Sequence, residues 1–245
     1  MFKGNALVIG ASGGIGSELV SQLIQSSLYH QVHAVSRTLP SEPVREVCYH
    51  KVDSEDEGNI ASLCQSLRAQ NIQFTLVISC IGALHGVNDE HPVTPEKRLE
   101  DINSRNLDFY FATNTIIPAI WLKNVEQLLK GKHEAKLVFF SARVGSITDN
   151  KLGGWYGYRA SKAALNMLIQ TAQIELQRRA KNIAIVSYHP GTVDTGLSKP
   201  FQNNVPKGKL FTAAFTVSQL LNMLPDLTVQ NAPYYLDWQG KRIPW

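Results

Sequence analysis

Tyr158 and Lys162 stand four residues apart in the segment Tyr158-Arg159-Ala160-Ser161-Lys162. On a helix, that spacing puts both side chains on one face. A phenol beside an ammonium is equipped for proton transfer. The positive charge favours the phenolate and draws the tyrosine pKa down from about 10. Such a pair gives and takes a proton at a carbonyl or an alcohol. The same spacing also arises by chance on solvated helices. Its meaning therefore depends on the elements that would position it.

Those elements are legible as alternating strands and helices. Ala6-Leu7-Val8-Ile9 is an apolar run that stops at glycines, as a buried parallel strand does. A helical pattern follows, with Ile15, Leu19, Val20, Leu23 and Ile24 on one face. Further strands are expected at Val32 to Val35, within Val44 to Val52, at Phe74 to Ser79, Leu137 to Phe140, Ile183 to Tyr188 and Tyr234 to Trp238. Helices are expected around Glu55 to Ala69, over Leu107 to Leu129 with a kink at Pro118, over Trp155 to Arg179, and over Phe211 to Leu224. Residues 85–97 and 192–210 read as loops, the second of them mobile. The expectation is an α/β chain: one Rossmann-type, doubly wound parallel sheet, a single domain over residues 1–245.

Composition narrows the partners. The net charge of +4 is mild and the basic residues do not cluster, so no nucleic acid is expected. Cys48, Cys64 and Cys80 are widely spaced and read as reduced thiols, and no histidine motif suggests a metal. No apolar stretch approaches the roughly 20 residues that span a bilayer, and no signal-peptide pattern opens the chain. A cytoplasmic protein is expected.

Gly10-Ala11-Ser12-Gly13-Gly14-Ile15-Gly16 lies between the first strand and the first helix. Glycines there let a backbone approach a pyrophosphate, and the helix start offers free N–H groups. The spacing can be read two ways. Gly10, Gly14 and Gly16 suit short single-domain reductases; Gly10, Gly13 and Gly16 suit longer epimerases and dehydratases. The short chain after Lys162 favours the first. After the second strand comes Ser36-Arg37-Thr38, with no acidic residue to bind a ribose 2′-hydroxyl. Arg37 suits a 2′-phosphate instead, which favours NADP(H) over NAD(H).

With these parts the chain resembles the short-chain dehydrogenase/reductase family over essentially its whole length. Pro95-Glu96-Lys97, Asn114 to Pro118, Ser141 to Ser146, Gly153 to Lys162 and His189 to Thr195 resemble its C-factor/sniffer-like carbonyl reductase branch. The resemblance implies four catalytic residues. Tyr158 would be the acid/base and Lys162 its modulator. Ser141 would bond the substrate oxygen, and Asn114 would hold a water leading to Lys162. Ser146 and Asn106 compete for the last two roles. The resemblance also implies cofactor contacts at Gly10, Ser12, Gly13, Gly14, Ile15, Gly16, Arg37, Asp53, Ser54, Cys80, Ile81, Gly82, Tyr158, Lys162, Pro190, Gly191, Val193 and Thr195. Ser79-Cys80 departs from the family's asparagine pair, and Thr148 to Gly154 adds loop before Tyr158.

The implied activity is NADP(H)-dependent reduction of an aldehyde or ketone by a homodimer or homotetramer. A catalytically weak nucleotide-binding signalling protein of the C-factor type is the alternative. An epimerase or dehydratase is a third reading, disfavoured by the absence of an added substrate domain. Trp155, Leu197 and Phe201 are candidates for an apolar pocket wall.

Overall fold

Short apolar runs become strands here, and amphipathic stretches become the helices that cover them. The computed structural model describes residues 3–245. Strand β1 (Asn5–Ile9) leads into helix α1 (Gly14–Ser26). Then come β2 (Val32–Ser36), β3 (Val47–Lys51), α2 (Glu57–Ala69) and β4 (Phe74–Ser79). Helices α3 (Ser104–Phe111) and α4 (Ile117–Leu129) precede β5 (Ala135–Phe140). Helix α5 (Tyr156–Arg179), β6 (Ile183–His189), α6 (Ala213–Met223) and β7 (Tyr234–Asp237) complete the order.

These strands form one sheet in the order β7-β6-β5-β4-β1-β2-β3, and every neighbouring pair is parallel. The chain therefore steps outward from β1 in one direction and from β4 in the other. The crevice at that reversal, outside the carboxyl ends of β1 and β4, is where such sheets take ligands. One apolar layer joins the sheet to α1 and α6 through Leu19, Leu23, Val217 and Leu220. A second joins it to α2, α4 and α5 through Ile60, Trp121, Leu165 and Ile169. Fully burying one such side chain contributes about 1.5–3 kcal/mol. The layers hold the strand ends in place.

Three sequence expectations change. Residues 85–97 are not plain loop: Gly86–Asn88 and His91–Val93 pair antiparallel. Asp89 and Glu90 turn the chain with φ of 48° and 64°, without the glycine that usually signals such a hairpin. Residues 192–210 carry order too. Thr192–Val193 pairs with Leu210–Phe211, and Lys199–Asn204 is a 3₁₀ helix. The long helix begins three residues earlier than expected, at Ser104, and its α pattern is interrupted just before Pro118. Its turn widens over Ala112–Ile116 into a π-helical segment, in which the N–H of Ile117 bonds Ala112. Proline offers no N–H to continue an α ladder, and the wide turn absorbs that loss.

His33 of β2 is buried against His50 of β3, with ring nitrogens 2.9 Å apart and Phe74 edge-on at 5.0 Å. Burial pushes His33 down to about 4, with a smaller push from His50, and burial lowers His50 as well. Between about 6.5 and 4 the unfolded chain thus binds protons that the folded chain refuses, so stability falls as pH falls. Thermal unfolding should show a declining melting temperature across that window, and His33→Leu should flatten part of the decline.

Candidate active site

Helix α1 starts at Gly14 with Gly13 at its cap, no capping side chain and no acidic residue in its first turn. Its first N–H groups lack a protein side-chain partner and face an anion-binding position. The preceding turn is tied to the sheet: Gly10 and Ala11 both donate to Val35, at 3.0 and 2.9 Å. A Cβ at Gly16 would overlap the Gly10 carbonyl oxygen, so only glycine lets this turn close. Ser12, Gly13 and Gly14 stay exposed, and Ile15 lines the cavity described below. Arg37 follows β2 and pairs with Glu55 at 3.6 Å, both side chains 71% exposed. An ion pair of that kind holds its arginine weakly. Asp53 is exposed and accepts from the N–H of Glu55, while Ser54 accepts from Trp121 of α4 at 3.1 Å.

The carboxyl ends of β4, β5 and β6 open into a cavity of about 890 Å³. Cys80, Ile81 and Gly82 line one side and Pro190, Gly191, Val193 and Thr195 another. Ser141, Tyr158 and Lys162 line it as well. Thr195 reaches back to the glycine turn, its Cγ2 3.0 Å from where a Gly14 Cβ would stand. Residues read from five separate stretches of sequence thus meet around one space.

Tyr158 and Lys162 project from the first turns of α5, both buried. The Lys162 ammonium donates to the Phe140 carbonyl at 2.9 Å and lies 5.9 Å from the Tyr158 ring centroid. The expected pull of Lys162 on the phenol is not what dominates. Burial drives Tyr158 above the usual phenol range, with Tyr235 adding to it, and the same cause lowers Lys162 to about 7. Each group's charged form loses water, so the phenol's pKa rises while the ammonium's falls, and the two move apart.

Asn114 sits in the π-helical segment, fully buried. It exchanges hydrogen bonds with Ala83 at 2.8 and 2.9 Å and donates to Ser161 at 3.2 Å. A Cβ on Gly82 would meet Lys162 Nζ at 3.1 Å and Asn114 Oδ1 at 3.3 Å, so both polar atoms stand over that glycine. The competing Asn106 instead donates its side-chain amide to the Thr94 carbonyl, and its backbone N–H to Asn103 Oδ1.

Ser141 reaches the cavity, but its hydroxyl donates to Asn166 Oδ1 at 2.9 Å. The expected bond to a substrate oxygen would need that same proton. Ala142, one residue on, belongs to the buried cluster that holds Tyr158. The competing Ser146 is buried and accepts from the N–H of Asp149. Trp155 and Phe201 pack edge-to-face at 5.5 Å on the cavity wall, as expected of an apolar lining; Leu197 also lines it.

One residue with no role in the sequence reading is Glu96. It is 2% exposed, its Oε2 accepts from the N–H of Gly157 at 3.0 Å, and its carbonyl accepts from Trp155. A carboxylate at a helix start meets the positive end of the helix dipole. Glu96 thus anchors the turn that carries Tyr158 to the loop over the cavity. The motif Pro95-Glu96-Lys97 was visible, but not its partner some 60 residues away.

A glycine turn at a sheet reversal, joined to a buried Tyr/Lys pair, defines a dinucleotide-dependent oxidoreductase of the Rossmann type. The chain belongs to the short chain dehydrogenase family, whose model matches residues 4–206. It is 29% identical to the C-signal of Myxococcus xanthus over 150 residues, 60% of this chain and 83% of that one. It is 24% identical over 205 residues to a benzil reductase ((S)-benzoin forming) of Bacillus subtilis, covering 82% and 79% of the two chains. Its fold matches the carbonyl reductase Sniffer of D. melanogaster with a TM-score of 0.84 at 19% identity, over 100% of both chains. The protein is an NAD(P)-dependent oxidoreductase.

Removing the Glu96 anchor frees a helix-start N–H in a buried place. Glu96→Ala should lower stability by about 1 kcal/mol, and Glu96→Gln, which keeps an acceptor oxygen, by less. Urea unfolding of the two variants measures the difference.

Proposed function

We propose that this protein reduces an aldehyde or ketone to an alcohol with NADPH, Tyr158 giving the proton. The observation that carries the reading is the shared cavity, which places Tyr158 and Lys162 beside the ends of β4 and β6. The bare start of α1 and the side-chain-free positions at Gly16 and Gly82 fit a dinucleotide. Bound there, the nicotinamide supplies the hydride that reaches the carbonyl carbon.

The chain's own part is proton handling and orientation. The Tyr158 hydroxyl gives its proton to the carbonyl oxygen as that oxygen gains charge, which leaves a phenolate beside Lys162. The ammonium stabilises that phenolate, and Phe140 holds the ammonium in place. A phenol that burial keeps protonated suits the reducing direction. Asn114 fixes the Ala83 backbone and faces Lys162 across Gly82. Ser141 supports Asn166 and so helps seat α5 against the sheet.

Arg37 supports NADPH over NADH. It is exposed and only weakly engaged, and no acidic residue ends β2. The exposed Ile116, Met167 and Ile174 on the outer helices suit contact with a second copy of the chain.

Oxidation of NADPH and NADH should be followed against a panel of aldehydes, ketones and quinones. The expected result is turnover with NADPH, and a preference over NADH that falls roughly tenfold or more in Arg37→Ala. A flat response across the panel, with NADPH bound tightly, would contradict the enzyme reading and favour a nucleotide-binding signalling role.

A further inference from the structure

The cavity holds a polar group that the reaction at Tyr158 leaves unused. His189 ends β6, is half-buried, and lines the same space as Tyr158. Its Nδ1 is buried without a hydrogen-bond partner. Among the described residues no hydrogen bond reaches the other ring nitrogen either. The charges nearest to it are already matched, since Arg143 donates to Asp237 at 2.8 Å. The ring thus makes no hydrogen bond to the described residues.

The polar groups around it are committed elsewhere. The hydroxyl of Ser141 is committed to Asn166, whose Oδ1 also accepts from Ser187 at 2.8 Å. Ala142, which shares a buried apolar cluster with Tyr158, carries only a methyl group. His189, at the end of β6, is left without a partner in the cavity that Tyr158 also lines. Burial, together with the Arg143 cation, pushes its pKa down to about 4, so the ring is neutral at working pH. A buried N–H without an acceptor is rarer than a buried bare acceptor. The proton therefore sits on Nε2, and that nitrogen is the one left to face the cavity.

We propose that His189 is a substrate-contacting residue whose Nε2–H donates to a second oxygen of the substrate, adjacent to the carbonyl that Tyr158 protonates. This rests on the reduction proposed at Tyr158. The substrate class is then a vicinal dicarbonyl on an apolar body, with Tyr158 and His189 each taking one oxygen and Trp155 and Phe201 walling the body. No covalent step involves His189; it orients the substrate and selects for the second oxygen.

The test compares benzil with deoxybenzoin, which has the same two rings and lacks one carbonyl oxygen. With NADPH as reductant, kcat/KM is measured for both in the wild type, His189→Leu and His189→Gln. The ratio for benzil over deoxybenzoin should fall roughly tenfold or more in His189→Leu. His189→Gln, which keeps an amide donor, should recover part of it. A ratio that stays at the wild-type value in both variants would overturn the role of His189 and leave reduction at Tyr158 standing. A wild-type protein that binds NADPH and reduces neither compound would overturn both.

Discussion

A lysine ammonium sits inside this protein, 3% exposed, and one backbone carbonyl holds it. Among the described residues no carboxylate pairs with it. Burial of an unpaired charge is strongly unfavourable, and the group responds by losing affinity for its proton. Lys162 accordingly falls to about 7, at the edge between charged and neutral. The site is built around that tension. Gly82 leaves out a side chain that would crowd the ammonium, and the π-helical turn delivers Asn114 to the same point. The buried Tyr158 lies beside it, its ring centroid 5.9 Å from the ammonium.

Such a pair works only if α5 is held in register with the sheet. Polar ties do this as much as apolar packing. Gln173 of α5 donates to Ile183 and accepts from Ile185, which pairs the part of β6 that β7 is too short to reach. Asn166 gathers Ser141 and Ser187 from two neighbouring strands. Thr115 bonds the carbonyl of Ser161, and Glu96 binds the helix start. Buried polar bonds with defined partners fix a position more sharply than apolar contact does. The same precision decides which wall of the cavity is polar.

The sheet and the glycine turn were legible because each rests on local pattern. Apolar runs ended by glycine mark strands, and the Tyr158/Lys162 spacing marks a helix face. Other features depend on partners far along the chain. The strand ending near Ser141 was clear, but the bond of its hydroxyl to Asn166 depends on a residue 25 positions away. The hairpin at 86–93 escaped notice because Asp89 and Glu90 take the turn conformation without glycine. His189 read as the first residue of the motif that follows a strand, and only the structure shows that its ring has no partner. Glu96 was visible as a motif, but its role as the anchor of α5 needs the fold.

The central claim is that the Tyr158 hydroxyl serves the reaction and not the fold. Among the described residues nothing hydrogen-bonds to that hydroxyl, so its removal strands no partner. The direct measurement is carbonyl reduction by Tyr158→Phe beside its NADPH affinity and melting temperature. The account predicts affinity and melting close to the wild type, with turnover reduced about a hundredfold or more. Near-normal turnover in that variant would contradict it.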